Sequence, residues 1–141
     1  MTRRTRIVMI ISILIVMLVG AFVYYTLYNK PHIDVAKSSP NISIASNTIV
    51  NDFEEDENRA NVKYLEQIIE VTGTIIETSI TNGKGVVVIG AADTFGSIMC
   101  HLSHEENEKI WTLNKGQQIT IKGICTGYLM DVILVKCVIV D

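Results

Sequence analysis

A run of 22 uncharged and mostly apolar residues, Ile7 to Tyr28, constrains this chain more than any other feature. As a helix the run would be about 33 Å long, enough to cross the ~30 Å hydrocarbon core of a bilayer. Arg3, Arg4 and Arg6 precede it, so the positive-inside rule predicts a cytoplasmic N-terminus and an extracytoplasmic C-terminal part. We therefore expect a single-pass protein of the cytoplasmic membrane that contacts the lipid bilayer through residues 7–28.

A cleaved signal peptide is the main alternative to this anchor. Signal peptides carry a shorter apolar region, about 7–15 residues, that ends in a cleavage site of small residues. The small pair Gly20-Ala21 is followed by further apolar residues, and no cysteine for lipid attachment occurs before Cys100. These features favour an uncleaved anchor, with cleavage and a buried soluble helix left open.

The charge of the chain is unevenly distributed. The net charge is −3, but all 15 acidic residues and only 8 of the 12 basic residues lie beyond residue 30, giving that part −7. A negative domain repels phosphate backbones at long range. Only 6% of residues are aromatic, which limits base stacking. Both observations argue against a nucleic-acid partner.

Composition divides the chain into three parts, which are the anchor at 1–30, a flexible linker at 31–51 and a domain at 52–141. The linker holds both prolines and many Ser and Asn residues, and its apolar residues show no sustained helical or strand periodicity. The domain begins with a short acidic helix, for which Asn51 or Asp52 is the expected N-cap.

The acidic helix carries a narrow apolar stripe for packing on the domain, formed by Phe53, Ala60 and Tyr64. Its acidic run at 54–57 suits the positive end of a helix dipole. A site for a cation or a basic partner is the alternative interpretation of that run.

From residue 68 the apolar pattern alternates with period two, which predicts strands. The predicted strands cover about 68–75, 86–89, 97–102, 117–125 and 131–140. Between the third and fourth, Ser103 and Glu106 match a capping box and predict a short helix over about 104–113. Gly73, inside the first strand, is expected to mark a bend.

The predicted fold is mainly β, with the order β-β-β-α-β-β. In so short a segment an open sheet would expose its edge strands, and closure into a barrel would remove these edges. It is a five-stranded OB-fold Greek-key barrel with a helix between strands 3 and 4, preceded by an N-terminal transmembrane helix and a short acidic helix. An open α+β sheet is the alternative.

Three segments resemble the bacterial tRNA-anticodon-like OB-fold family (tRNA_anti-like). They are Ile69–Ile75 (IEVTGTI) with the preceding Ala60 and Tyr64, Leu113–Gly127, which ends in GICTG, and Asp131–Cys137 (DVILVKC), within a resemblance that spans roughly residues 52–141. The resemblance implies an OB-fold and a location in the bacterial envelope, here the inner membrane with the domain in the periplasm. Many members are lipoproteins, whereas this chain lacks a lipidation cysteine. The resemblance transfers no catalytic residue.

Three cysteines occupy inward positions of the predicted strands: Cys100, Cys125 and Cys137. In OB-fold order the fifth strand lies between the third and fourth, so Cys100 and Cys137 fall on neighbouring strands and form the candidate disulfide. Hairpin register places Cys125 opposite about residue 132, too far from Cys137. Another pairing, or three buried free thiols, stays open.

The expected ligand face follows the surface that OB-folds commonly use, namely strands 2 and 3 with the adjoining loops. Its candidate residues are Lys84, Met99, His101, Tyr128, Met130 and Asp131. The apolar tip that includes Tyr128 and Met130 suits an envelope protein, a peptide or a glycan. We therefore expect a non-catalytic binding module; an extracytoplasmic nucleic-acid-binding or metal-binding domain is the alternative.

No catalytic residues, cofactor or metal ligands are predicted. The sequence shows no Ser, His and Asp residues in the order of a catalytic triad, no pair of acidic residues suited to general acid–base catalysis and no glycine-rich phosphate-binding loop. The His- and Cys-containing segment 100–106 places Cys100 and His101 on opposite faces of a strand, which prevents chelation by both. The sequence does not indicate an oligomeric state.

Overall fold

The computed structural model describes residues 2–28, 33–90 and 95–140. The chain forms two compact units, which meet in sequence between Ile33 and Asp34. The first unit contains helix α1 (Arg3–Tyr28), which is long and apolar enough to cross a membrane and has no buried residue. The helix begins at Arg3 rather than at Ile7 and ends where the apolar run predicts.

The second unit is a closed β-barrel preceded by three short elements. These are β1 (Ile42–Ala45), α2 (Ser46–Glu55) and α3 (Glu57–Tyr64). The barrel strands are β2 (Ile68–Thr81), β3 (Lys84–Gly90), β4 (Ile98–Leu102), β5 (Gln118–Leu129) and β6 (Asp131–Val140). A 3₁₀ helix, η1 (His104–Thr112), connects β4 to β5.

The strand order confirms the predicted OB-fold. The barrel strands follow the order β2-β3-β4-β6-β5, and β2 also pairs with β5, which closes the barrel and excludes an open sheet. β4 and β6 are parallel, and the other barrel pairs are antiparallel. As expected, the last strand lies between the third and the fourth strands of the barrel.

The segment predicted as a linker is, over much of its length, part of the folded unit, and the prediction of flexibility is wrong there. β1 pairs in parallel with β2, and Ile49 and Val50 of α2 are fully buried. Val35 is also buried, and Lys122 Nζ donates to the Ser38 carbonyl at 2.8 Å. Residues 31–32 of the predicted linker lie outside the described part.

The acidic helix is two helices, and its predicted N-cap is wrong because α2 begins at Ser46 and already contains Asn51 and Asp52. The chain breaks at Asp56, whose side chain caps α3 by accepting from the Arg59 amide at 3.0 Å. The predicted apolar stripe is confirmed, since Phe53, Ala60 and Tyr64 are buried.

Gly73 lies where α2 crosses the barrel. A Cβ at this position would overlap Ile89 and lie 2.6 Å from the Ser46 hydroxyl oxygen, so only glycine fits without displacing them. A bend is expected at this glycine, and the β2–β3 pairing is irregular just after it, where its register shifts between Ile75 and Glu77. The close approach lets the start of α2 pack against the β2–β3 layer.

One hydrophobic core fills the barrel and continues under α2 and α3. Its largest fully buried side chains include Tyr64, Phe53, Ile49 and Ile69. Burying an aliphatic or aromatic side chain of this size stabilises a fold by roughly 1.5–3 kcal/mol. The two helices are therefore integral to the domain's stability.

Candidate functional site

The predicted ligand face is divided between the two ends of β4. Lys84 lies across from the C-terminal end of β4, where Val86 pairs with His101. Met130 and Asp131 lie at the N-terminal end, where Val132 pairs with Ile98. The two ends are about 13 Å apart at the rise of an extended strand. The six predicted residues therefore do not form one site.

Met99 lies between these two ends, half-buried on the outer face of β4. It pairs with Val88 on one side and with Ile133 on the other. Both neighbours are half-buried. This middle of the face is a short aliphatic strip without polar side chains, so it separates the chemically different ends.

At the N-terminal end of β4, two predicted ligand residues have structural roles. The Tyr128 ring stacks on Phe53 of α2, with 5.3 Å between centroids. Asp131 Oδ1 accepts from the Ser97 amide at 2.9 Å and from its hydroxyl at 2.7 Å. Met130 is the exposed member, 82% accessible at a positive φ of 68°.

At the C-terminal end of β4, Lys84 and His101 line a groove of about 630 Å³, called here the cationic groove. Its walls come from the β2–β3 turn, the end of β4, the start of η1 and the middle of β6. The lining residues are Asn82, Gly83, Lys84, His101, Leu102, Ser103, His104, Asn107, Val135 and Lys136.

The β2–β3 turn holds Lys84 at the rim of the cationic groove. Asn82 and Gly83 have φ of 52° and 75°, which suits the Asn-Gly pair of a tight hairpin turn. Asn107 of η1 fixes the turn, since its Oδ1 accepts from the Gly85 amide at 2.9 Å and its Nδ2 donates to the Gly83 carbonyl at 3.2 Å. The lysine is thus presented from an anchored turn.

Lys136 is a groove residue that the sequence did not reveal. It lies where the β4–β6 register shifts between the Cys100 and Leu102 pairs, and its φ is 53°. The irregularity breaks the strict alternation of β6 and leaves the lysine exposed at the groove. An alternating pattern read from sequence assigns Lys136 only to an outer face.

Ser103 and Glu106 do not form the predicted capping box. Ser103 precedes η1, but its side chain makes no capping hydrogen bond, and its Oγ is a buried atom without a partner among the described residues. Glu106 instead accepts from the Ile139 amide at 3.2 Å and pairs with Lys109 at 3.1 Å. The Glu106 carboxylate therefore points away from the groove.

The groove differs in charge from the rest of the domain. Two lysines and two histidines line it, and none of its lining residues is acidic. In the second unit, Lys37, Arg59, Lys63 and Lys109 form ion pairs, and Lys122 donates to backbone carbonyls. Within the described ranges, Lys84 and Lys136 make no such contact, which leaves both ammonium groups available to a ligand.

The three cysteines are free and fully buried. Cys100 and Cys137 lie on the adjacent strands β4 and β6. Burial, followed by interaction with the neighbouring Cys100 thiol, raises the pKa of Cys137. Burial also raises the pKa of Cys125, which lies on β5 opposite Leu134. The expected partner at about 132 is wrong because register shifts in the β5–β6 pair displace it.

No group of three or more His, Cys, Asp or Glu residues is arranged to hold a metal ion within residues 2–28, 33–90 and 95–140. His101 is half-buried on the outer face of β4, and Cys100 is buried in the barrel. The structure therefore adds no observation in favour of the metal-binding alternative.

Two solved structures illustrate the similarity of fold. A Klebsiella pneumoniae protein described as a nucleic acid-binding lipoprotein aligns with a TM-score of 0.62 at 18% identity, over 79% of this chain and 100% of that one. A Leishmania major protein described as an aspartyl-tRNA synthetase aligns with a TM-score of 0.50 at 9% identity, over 86% of this chain and 26% of that one. Identities this low establish a shared fold alone.

Among curated proteins, none matches this sequence. The family model tRNA_anti-like matches residues 1–139, which include α1 as well as the barrel. The match agrees with the resemblance carried by the strand motifs at 69–75, 123–127 and 131–137. The chain therefore belongs to the tRNA_anti-like family, whose tRNA-anticodon-like fold is a binding fold.

Proposed function

We propose that this protein is a membrane-anchored, non-catalytic OB-fold module that binds a single-stranded nucleic acid in its cationic groove. One observation carries the proposal, namely that a domain of net charge −7 lines one groove with Lys84, Lys136, His101 and His104 and with no carboxylate. Two lysines that line one groove without a carboxylate, in an otherwise acidic domain, favour an anionic ligand at that place.

The groove has chemistry suited to a phosphodiester strand. Lysine ammonium groups bind backbone phosphates as point charges, and imidazole rings can stack on bases. OB-folds bind oligonucleotides on the face and loops that this groove adjoins. The description of the Klebsiella protein, which shares the fold, is in keeping with this choice.

The remaining charge of the domain limits the affinity. Carboxylates outside the groove repel a phosphate backbone at long range, so binding depends on local contacts. Two lysine–phosphate contacts predict a slope of log K against log salt of about −1.4. We therefore expect weak binding that is readily reversed by salt.

The sequence favoured a protein, peptide or glycan because of the apolar tip near Tyr128. That tip lies at the other end of β4 from the groove, and Tyr128 packs on Phe53. A neutral glycan gives the unpaired lysines no charge to neutralise. The groove therefore supports the nucleic-acid alternative over the glycan.

The membrane anchor and its orientation are part of the proposal. Helix α1 has the length and composition to span a bilayer, and its arginines precede the apolar run. We infer that the N-terminus is cytoplasmic and that the barrel lies in the periplasm of a bacterial inner membrane. A C-terminal alkaline phosphatase fusion should be active; an inactive fusion beside an active cytoplasmic reporter at the same site would reverse the orientation.

The test of the ligand uses the full chain in phosphatidylcholine nanodiscs and fluorescein-labelled oligothymidylate. Fluorescence anisotropy should give an affinity that falls with salt at the slope above. The double variant Lys84→Ala/Lys136→Ala should bind about tenfold more weakly, which corresponds to roughly 0.7 kcal/mol per lysine.

The matched control is Lys37→Ala/Lys115→Ala, which removes the same charge outside the groove. It should bind almost as well as the unaltered chain. Equal weakening in both double variants would mean that only net charge matters, and no binding at low salt would refute the proposed ligand. An unlabelled neutral oligosaccharide should not compete.

A further inference from the structure

A second surface with opposite character lies at the other end of β4, between α3 and the β5–β6 hairpin. It is a groove of about 400 Å³, called here the acidic-apolar groove. Leu65 and Leu129 contribute apolar walls, and Glu57 and Asn61 of α3 contribute the polar edge. It shares no lining residue with the cationic groove.

The apolar part of this groove is unusually exposed. Leu129 is 78% accessible and Leu65 is 40% accessible. Met130, next to Leu129 at the hairpin tip, is 82% accessible and adopts a φ of 68°. A bulky residue seldom occupies this left-handed region, where glycine or asparagine is favoured. The hairpin tip therefore carries a flexible apolar side chain at a position where the backbone conformation favours glycine or asparagine.

Glu57 lines the groove beside these apolar side chains, and the carboxylates of Glu54 and Asp131 act on Tyr128 from nearby. Burial, followed by the charges of Glu54, Asp131 and Glu57, raises the pKa of Tyr128 in the floor of the groove. The basic residues of α3 do not neutralise this field, because Arg59 pairs with Glu55 and Lys63 pairs with Asp52. The electrostatic field at the groove is therefore negative.

We propose that the acidic-apolar groove docks a segment of a partner protein that combines apolar side chains with lysine or arginine. The leucines and Met130 would receive the apolar side chains, and Glu57 with its neighbouring carboxylates would pair with the cations. Methionine at such a surface adapts to differently shaped side chains. The surface thus gives the module a protein contact separate from its proposed nucleic-acid groove.

The charge of the groove argues against other occupants. A nucleic acid or an anionic lipid surface would meet the carboxylates with like charge. A second copy docked by two-fold symmetry would place the same acidic patch of each molecule against the other. An apolar and basic segment of another protein satisfies both parts of the surface.

The test selects random peptides of about twelve residues, displayed on phage, against the full chain in phosphatidylcholine nanodiscs. Peptides that bind empty nanodiscs are removed first. Enriched sequences should combine leucine, isoleucine or phenylalanine with lysine or arginine, and their affinity should fall with salt. Failure to enrich any sequence, or enrichment of acidic sequences, would overturn the proposal.

Variants then locate the peptide site by fluorescence anisotropy. The double variant Leu129→Ser/Met130→Asn should weaken binding about tenfold, and Glu57→Gln should weaken it several-fold, as expected when a docking surface loses an anchor or a charge. Asparagine tolerates the backbone at Met130, so the fold should be retained. Trp111→Ala removes an exposed aromatic residue elsewhere and should leave the affinity unchanged.

Equal binding by the double variant and the unaltered chain would overturn the assigned site. Sedimentation of the full chain adds a separate outcome, since a dimer abolished by Leu129→Ser/Met130→Asn would identify a second copy as the occupant instead. Because the anisotropy assay with oligothymidylate reports on the other groove, either proposal can fail while the other holds.

Discussion

At the scale of single residues, Asp52 joins the two helices that cover the barrel. Its Oδ2 accepts from Lys63 Nζ at 2.8 Å and from the Tyr64 hydroxyl. Lys63 also lies 4.6 Å from the centroid of the Tyr64 ring. The hydrogen bond from Lys63, and then the one from Tyr64, lower the pKa of Asp52 below its ordinary value.

Asp52→Asn should therefore destabilise the domain in a pH-dependent way. At neutral pH the loss should be about 1–2 kcal/mol, somewhat below the ~1.5–3 kcal/mol typical of hydrogen bonds to a charged group, because the Lys63–Asp52 pair is partly exposed. Because the folded-state pKa is lowered, this stabilisation is present above the ordinary value of 3.8 and is lost as pH falls through the folded-state pKa. Urea unfolding at several pH values measures the difference.

Asp34→Asn is the matched control, because the carboxylate of Asp34 also pairs with a lysine but at an exposed position. It should change stability little at any pH. Equal effects of the two substitutions, or an Asp52→Asn effect that does not shrink in acid, would contradict the structural role of Asp52.

The face of the sheet on which each side chain lies was predictable where strand alternation is regular. Alternation placed Cys100 inside and His101 outside β4, and both assignments hold. It could not reveal Lys136, because a register shift changes which way the chain faces. Nor could it show that Tyr128 is covered, since its partner Phe53 is 75 positions earlier in sequence. Local periodicity carries no information about such long-range contacts.

At the scale of elements, strand pairing decides which cysteines can be joined. Cys100 and Cys125 are both paired with Leu134, on opposite sides of β6. Two strand spacings, about 9.6 Å, separate their backbones, which exceeds the usual Cα separation in a disulfide. Cys100 and Cys137 lie on adjacent strands, and their buried thiols are close enough for Cys100 to influence the ionisation of Cys137.

We propose that the protein in its native membrane forms the Cys100–Cys137 disulfide and leaves Cys125 reduced. An extracytoplasmic disulfide-donating protein would accept the two electrons and two protons released. The bridge would stabilise the domain by about 3–4 kcal/mol. Alkylation in denaturant without reductant, followed by mass spectrometry, should label Cys125 alone.

Cys125→Ala should retain the bridge, and Cys137→Ala should leave two alkylated thiols. Labelling of all three cysteines in protein isolated from the native membrane would contradict the disulfide. A bridge that includes Cys125 would contradict the strand register.

Helices and strands were easier to predict when their pattern of apolar residues was longer. The barrel strands carry several alternating apolar positions each, so all five were predicted, although β2 extends beyond its predicted end to Thr81. β1 has only four residues, and Ser43 and its neighbours resemble a tether in composition. The start of α2 at Ser46 has no side-chain cap hydrogen bond at its N-cap to mark it.

At the scale of the whole molecule, the folded unit should begin near Asp34. A fragment of residues 34–141 should unfold cooperatively, because it keeps β1 and all of α2. A fragment of residues 52–141, the domain predicted from sequence, loses β1 and the fully buried Ile49 and Val50. The loss should be about 5 kcal/mol or more, comparable with the total stability of a small domain.

Thermal and urea unfolding, followed by circular dichroism, would compare the two fragments. Ile49→Ala in the longer fragment should reproduce part of the loss, and Thr48→Ala, at an exposed position, should not. Equal midpoints for the two fragments would show that β1 and the start of α2 are dispensable.

The whole domain is electrostatically divided along β4. The cationic groove lies at one end of this strand and the acidic-apolar groove at the other. The sequence predicted the barrel and the acidic excess, since both follow from composition and periodicity. It could not predict this division, because the groove residues come from separate strands, a turn and a 3₁₀ helix that only the closed barrel brings together.

Nuclear magnetic resonance mapping of oligothymidylate on the ¹⁵N-labelled 34–141 fragment tests the central claim most directly. Titration should shift amide signals around Lys84, His101, His104 and Lys136, and should leave those around Leu65, Leu129 and Met130 unchanged. Salt should reverse the shifts. Shifts centred on the acidic-apolar groove, or none at low salt, would contradict the assignment of the cationic groove as the nucleic-acid site.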